Sequence, residues 1–595
     1  MGLAFSIDSP IRVARFGISS VISLSDDGLI EQVRELYSRK FNRPYQPINS
    51  GEEDYRARRI TAYLNLVHDI VQQQMHEMAR QEFTETSELT KYFRLLPHNA
   101  ILKQLYQHML FTEDLELKLQ LQTQLRASIL PGSIDVNIMT KLDKTNYTKS
   151  GEALPPEYSD AMAGLRGFAQ SDLQSSVVFS AGMNPRVYSY MEQFADFLPN
   201  QNGELKKKII IKVSDYRSAA IQGKVLAKKG LWVSEFRIES GLNCGGHAFA
   251  TDGYLLGPIL EEFKQNREQL RQELYAMYTQ ALAAKNMAAP AKPFAQKLTV
   301  QGGIGTAKEH NFLLQYFGAD ATGWGTPFLL VPEASSVDEA TLQKLVNAQQ
   351  ADLYLSNISP LGVPFNSLRD TTSEAEKQAR IAKGNPGSPC VKKHLVSNTE
   401  FTEQAICTAS SKYQKRKIAE LNLRDLPAED YNREFAKITE KECLCEGLSK
   451  TVLIENNAVK RAQSKAVAIC PGPNLAWFSG VFSLEQMVDH IYGRTNLLNQ
   501  VYRPNMFVNE LRMYVQYLKK QIPQSLEEIT DKKLKYLNNF RSNLQTGIAY
   551  YQTLVLHLTD QTEEYRGQMA QELNDAATEL ESLQFTPAEF VAFSL

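Results

Sequence analysis

Two residue patterns in this 595-residue chain have types and spacings that could do chemistry. The first is punctuated by glycine. Residues 298–332 read LTVQGGIGTAKEHNFLLQYFGADATGWGTPFLLVP. A β-branched apolar run ends at Gly302, Gly303 and Gly305, and a helical stretch follows over 308–317. Gly318-Ala319-Asp320 then leads into a short strand that ends at Gly323, Gly325 and Thr326. Glycine turns at the carboxyl ends of successive parallel strands expose backbone N–H groups, and a helix amino end adds its dipole. Together they suit a phosphate. The second pattern is cysteine. Five of the six cysteines, Cys390, Cys407, Cys443, Cys445 and Cys470, occur in the contexts SPC, AIC, ECLCEG and AICPGP. Four thiolates can hold zinc or an iron–sulfur cluster. This spacing matches no standard ligand pattern. The alternative is small buried residues in a loop-rich region, with Cys443 and Cys445 on one strand face.

These residues need elements to position them. Strand patterns fall at 11–23, 133–140, 176–182, 208–214, 231–238, 297–303 and 319–324, and helical patterns alternate with them. That alternation predicts parallel βα units, and the fold class is an α/β, (β/α)8 TIM barrel. A barrel needs an eighth strand. It lies either in 41–60 or within 11–23, if that run supplies two. Residues 52–130 form a helical insertion, in which Ile60, Leu64, Val67, Val71, Met75 and Met78 share one face. His68, His76, His98 and His108 lie there without metal-ligand spacing and read as packed or surface residues. Lys206-Lys207-Lys208 reads as a solvated strand entry. Lys212 interrupts the apolar run KIIIKVS, where a charge is costly unless paired. Residues 351–400 read as loop. Two apolar stripes lie beyond them: Phe507, Leu511, Tyr514, Val515, Leu518, Ile522, and Leu544, Ile548, Tyr551, Val555, Leu558. They suit an antiparallel helical appendage or a homodimer contact.

The order GGI, GAD, GT in 298–332 resembles the end of the flavin barrel in nitronate monooxygenases and in flavin-dependent enoyl-ACP reductases. Residues 239–249, ESGLNCGGHAF, follow a strand one βα unit earlier and strengthen that resemblance. His247 takes the position of the histidine that is the general base in nitronate monooxygenases. A group titrating near neutrality suits proton removal beside a nitro group or proton delivery to an enolate. Gly245 and Gly246 would let the backbone approach flavin mononucleotide (FMN) closely. The chain departs from the family pattern at Asn243-Cys244. Cys244 reads either as a thiol near the flavin or as a small packed residue. The resemblance further implies that the N–H groups of Gly303, Gly305, Gly325 and Thr326 hold the flavin phosphate, with Gly302 and Gly323 also cofactor-binding. It implies that Gly17 lies in a loop under the ring and that Asn137 bonds the ring edge. Lys212 would face the ring's N1/C2 carbonyl edge. The matching regions cover about half the chain.

These expectations divide the chain into a barrel at 1–335 with its insertion at about 50–130, a cysteine-containing subdomain at 336–480 and a helical region at 481–595. The leading function is an FMN-dependent oxidoreductase that oxidises a small nitronate with oxygen. The alternative is an NAD(P)H-dependent enoyl-thioester reductase of fatty-acid or polyketide synthesis. A third reading, of another class, is an interaction protein on a degenerate barrel. A net charge of -2 gives no bias toward nucleic acid or membrane, and no run is long and apolar enough to span one. The first residues lack the order of a signal peptide, and sparse cysteine suggests a reducing cytoplasm.

Overall fold

Short runs rich in valine and isoleucine pair side by side in chain order. In the computed structural model, which describes residues 3–148, 150–180, 182–245, 252–460, 463–522 and 530–583, they make one sheet. Its strands are β1 (Ser20–Ser23), β2 (Ile134–Met139), β3 (Ser176–Ser180), β4 (Lys208–Val213), β5 (Val233–Glu239), β6 (Lys297–Gln301) and β7 (Ala321–Gly323). The spatial order is β1-β2-β3-β4-β5-β6-β7, and every neighbouring pair is parallel. Parallel neighbours require crossovers, and each link carries at least one helix. Burial on both faces explains the continuous apolar runs, such as the five buried residues of β3.

The sheet curls. Residues two apart on a strand share a face. One face of all seven strands lines a single cavity of about 1990 Å³, from Ser23 and Asn137 through Val178, Ile210 and Arg237 to Thr299 and Gly323. Among the described residues no pairing joins β7 to β1. The gap is filled by the chain's start and by the segment after β7. Ser336 N–H donates to the Phe5 carbonyl (3.0 Å), Ser9 Oγ to the Ala334 carbonyl (2.6 Å), and Arg12 Nη1 to the Pro332 carbonyl (2.8 Å).

That arrangement corrects the first expected strand. Residues 11–16 are helical, in Ser9–Val13 and Ala14–Phe16, and only Ser20–Ser23 is extended. Pro10 starts the helix, and Arg12 Nε pairs with Asp8 one turn earlier at 2.9 Å. Residues 41–60 supply no strand either; a helix begins at Tyr55.

The insertion forms helices Tyr55–Ala79, Glu88–Leu95, Ile101–Phe111 and Leu115–Ala127. The six residues of its apolar stripe are all buried. Residues 351–400 are more ordered than the sequence suggests. They hold an antiparallel pair, β8 (Leu353–Ser356) with β9 (Phe365–Leu368), and a helix, Thr372–Ala382. Cys443 and Cys445 lie on no strand; Leu444–Gly447 is a short helix. The last helices are Leu484–Ile491, Met506–Gln521, Asp531–Leu554 and Glu563–Glu581. Their stripes pack inside the chain. Phe507 meets Tyr551 (ring centroids 5.1 Å apart) and Phe317 (6.2 Å), and one apolar core runs from Ala4 to Leu580. No described helix is long and apolar enough to cross a membrane.

Close backbone approach sets the insertion against the sheet's helices. A Cβ on Gly167 would lie 2.7 Å from Ile60 Cβ and 2.8 Å from the Ala57 carbonyl oxygen. Gly167→Ala should therefore destabilise the protein by about 1–3 kcal/mol, read as a lower denaturation midpoint at unchanged slope.

Candidate functional site

All seven strands are parallel, so their carboxyl ends form one rim of the cavity. Asn137 stands near the end of β2, opposite Ser23 of β1, and lines the cavity. Lys212 near the end of β4 also lines it, with Nζ 2.8 Å from Glu239 Oε1 on β5. Glu239 in turn accepts from Gln301 Nε2 (3.2 Å) and from Asn243 Nδ2. Deeper in, Arg237 Nε is 2.7 Å from Glu235 Oε1 and Nη2 is 3.5 Å from Asp135 Oδ2, while Thr299 Oγ1 donates to Glu235 (2.6 Å). Lys212 is paired with Glu239 on the neighbouring strand, and Arg237 with Glu235 on its own strand and Asp135 across the cavity, which is how an otherwise apolar parallel sheet tolerates the two cations.

Of the other expected ligands, Gly245, Gly323 and Gly325 line the rim. Gly17 lines the cavity at its other end. It precedes β1, in a left-handed turn (φ 75°), so it stands at the amino mouth and cannot underlie a ring held at the carboxyl ends. The residue at the correct end of β1 is Ser25, which no glycine pattern marks. Gly246 and His247 lie outside the described residues.

Gly302, Gly303 and Gly305 sit behind the rim rather than on it. A Cβ on Gly303 would lie 2.6 Å from Leu242, on Gly302 3.1 Å from Asn243, and on Gly305 2.5 Å from Arg503 Nε. Positive φ at Gly302 and Gly303 adds to the requirement for glycine. The Gly305 N–H is already donated to Glu309 Oε2 at 2.9 Å, which corrects its expected role as a phosphate donor. Thr326 Oγ1 accepts from Gly472 N–H at 3.2 Å, so that hydroxyl faces the 470–474 turn.

The turn 302–305 is held from behind. Arg503 Nη1 meets Glu309 Oε1 (2.7 Å), and its Nη2 donates to the Gly303 carbonyl (2.6 Å). Asn474 Nδ2 donates to the Ile304 carbonyl (2.8 Å), and His490 Nε2 lies 3.0 Å from the Gly305 carbonyl. Nothing in the 298–332 pattern points to these partners. A charged residue at 503 beside the helix start at Met506 was the available signal.

A further segment reaches the rim above β1 and β2. Lys392 Nζ is 2.6 Å from Asp26 Oδ2, and His394 lies between Asp26 (3.6 Å) and Asp160 (3.8 Å) with its side chain 11% exposed. His394 lines the cavity. Burial pulls its imidazole down, but the carboxylates of Asp160 and Asp26 outweigh that and hold it above the usual range. Asp26 is driven the other way: burial raises it, and His394 and Lys392 bring it well below the usual carboxylate range.

Cys390, Cys407, Cys443, Cys445 and Cys470 gather in one small apolar cluster with Ile358, Phe365 and Leu395. Among the described residues no group of three or more histidine, cysteine or acidic side chains is disposed to hold a metal ion. A hydrogen bond from the Cys407 thiol brings Cys390 down to about 7, and burial helps to push Cys407 up. Cys244 is buried; its Sγ lies 3.6 Å from the Cys470 carbonyl.

No family description and no characterised sequence matches this chain. Several solved structures are similar in part, two of them as follows. One is a FabK mutant from Thermotoga maritima: 12% identity, TM-score 0.30, covering 67% of this chain and 83% of that one. The other is the enoyl reductase domain of MlnA from the macrolactin biosynthesis cluster of Bacillus amyloliquefaciens: 13% identity, TM-score 0.30, covering 76% and 89%. Likenesses this distant carry no weight for function.

Arg503→Met should cost about 3–5 kcal/mol of stability, because it strands the buried Glu309 carboxylate and the Gly303 carbonyl. A urea titration measures it. His394 contributes stability below its ordinary 6.5 and loses it as pH rises through its higher folded value. The melting-temperature deficit of His394→Gln should therefore be largest below pH 6.5 and shrink as the pH rises through the raised folded value.

Proposed function

We propose that this chain is an FMN-dependent oxidoreductase that reduces the double bond of an acyl thioester with NAD(P)H. The scaffold is a barrel of the (β/α)8 kind in which the chain's start and residues 326–336 stand in for the eighth strand. The carrying observation is the rim at the carboxyl ends, where Asn137, the Lys212–Glu239 pair, Gly323 and Gly325 all face one cavity.

These residues fit a flavin. The Asn137 amide can both donate to and accept from the polar edge of the ring. Lys212 supplies a cation beside that edge, and Glu239 pairs with it at 2.8 Å. Gly323 and Gly325 bring bare backbone to the rim, where a phosphate can approach. Gly302, Gly303 and Gly305 form a second layer behind it. When bound, the flavin supplies a carrier of hydride between nicotinamide and substrate. His247, in the segment that follows Gly245, holds or delivers the proton that the substrate carbon needs. The cavity of about 1990 Å³ exceeds an ordinary ligand pocket of roughly 300–1,000 Å³. It has room for a cofactor and an extended acyl chain, whereas a small nitronate needs far less.

The test is the visible spectrum of the purified chain, identification of any released cofactor by mass, and anaerobic mixing with NAD(P)H. Bleaching by NAD(P)H followed by reoxidation with an enoyl thioester is the expected result. A flavin that NAD(P)H leaves oxidised, but that turns over a nitronate in air, would shift the reading to nitronate oxidation. A colourless chain that takes up no added FMN would end both. Lys212→Met should weaken FMN binding about ten-fold, measured by flavin fluorescence quenching.

A further inference from the structure

The connection between β5 and the next helix, residues 240–256, supplies Gly241, Asn243, Cys244 and Gly245 to the cavity wall and contains His247. Its two ends converge on one side chain. Ser240 Oγ donates to Glu510 Oε1 at 2.8 Å, and Leu256 N–H donates to Glu510 Oε2 at 2.7 Å. Tyr551 OH lies 3.4 Å from the same Oε2 and accepts from Gly257 N–H at 3.0 Å. Glu510 is only 2% exposed.

Helix Leu256–Ala284 begins without a cap of its own, because Leu255 offers no side-chain acceptor. Glu510 supplies that acceptor from a helix more than 250 positions later in the chain, where its charge also meets the positive end of the helix dipole. The residue is out of place by pattern. It lies between Phe507 and Tyr514 on the buried face of helix Met506–Gln521. A carboxylate buried there is retained at a cost unless its acceptor sites are used.

We propose that Glu510 is the positioning residue of the 240–256 connection: its carboxylate ties the end of β5 to the start of the next helix and so fixes both ends of the connection that brings Asn243, Cys244 and Gly245 to the cavity wall. The tether stands on the hydrogen bonds; its consequence for catalysis rests on the function proposed above.

Burial pushes Glu510 up to about 7, against the pull of Leu256, Ser240, Gly241 and Tyr551. Of those partners only Tyr551 titrates, and burial drives it far above its ordinary value. Above about pH 7 the charged carboxylate serves both ends of the connection. Below it, one oxygen carries a proton and one anchor is weakened. A glutamine at 510 mimics the protonated form at every pH.

The experiment is chymotrypsin cleavage of the full, flavin-free chain at about pH 6 and pH 8, with cuts mapped by mass. Cuts within 246–256 are normalised to the cut after Phe111, which is 84% exposed. Wild type should be cut in that segment several-fold more slowly at the higher pH. E510Q should match wild type at the lower pH and lose the pH dependence, and E510A should be cut about ten-fold faster at the higher pH. If E510A does not fold, the comparison of E510Q with wild type decides alone. Equal, pH-independent cleavage in wild type and E510Q would overturn the tether. In the flavin-loaded chain, E510Q should lower kcat at little changed KM. A chain that takes up no flavin but shows the cleavage pattern would refute the function and leave the tether standing.

Discussion

The ion pair between Arg503 and Glu309 is the contact on which the site's architecture depends. Both side chains are nearly fully buried, at 4% and 3% exposure. Two such charges are stable in the interior only when every donor and acceptor is used. Here they are. Glu309 also takes the N–H groups of Gly305 and Met506, and Arg503 also takes the Gly303 carbonyl and Asn474. The pair therefore joins the turn after β6 to the start of the helix at Met506. Hydrogen bonds at these distances are directional, so the junction sets a register that apolar packing alone would leave loose.

The same economy explains the polar interior of the sheet. Barrel cores are commonly filled by layers of branched apolar side chains. The inner face of this curled sheet instead carries Asp135, Arg237, Glu235, Lys212 and Glu239, each satisfied by a partner on the same strand, on the next strand or across the cavity. Long side chains engaged sideways leave space along the axis. They also line that space with groups able to hydrogen bond. The glycines have a split role. Gly323 and Gly325 bring bare backbone to the cavity, whereas Gly302, Gly303 and Gly305 let Leu242, Asn243 and Arg503 pack close behind it.

Residues after β7 finish the site rather than extending from it. The Lys392–Asp26 contact and the His394 bridge fasten one segment over β1 and β2. Gly472 closes on Thr326, and Glu510 secures the connection after β5. An apolar core continuous from Ala4 to Leu580 makes these parts one folding unit in the energetic sense.

Periodicity and composition were enough to determine six of the seven strands, the helices between them and the buried stripe of the insertion. Those features depend on neighbours a few residues apart, where the side-chain period shows directly in the chain. The first strand is shorter than its pattern predicts because Pro10 and the Asp8–Arg12 pair favour helix within an apolar run that reads equally well as extended. For the site, the sequence determined residue types at the rim: Asn137, Lys212, Gly245, Gly323 and Gly325. It left undecided which end of the sheet Gly17 would occupy and whether the Gly305 N–H would be free. It marked Arg503 and Glu510 only as charges beside or within an apolar stripe, and held no sign of the groups that they or His394 would pair with. Those matters are settled by contacts between residues hundreds of positions apart, and such pairings exist only once the sheet has curled and the last helices have closed on its carboxyl ends.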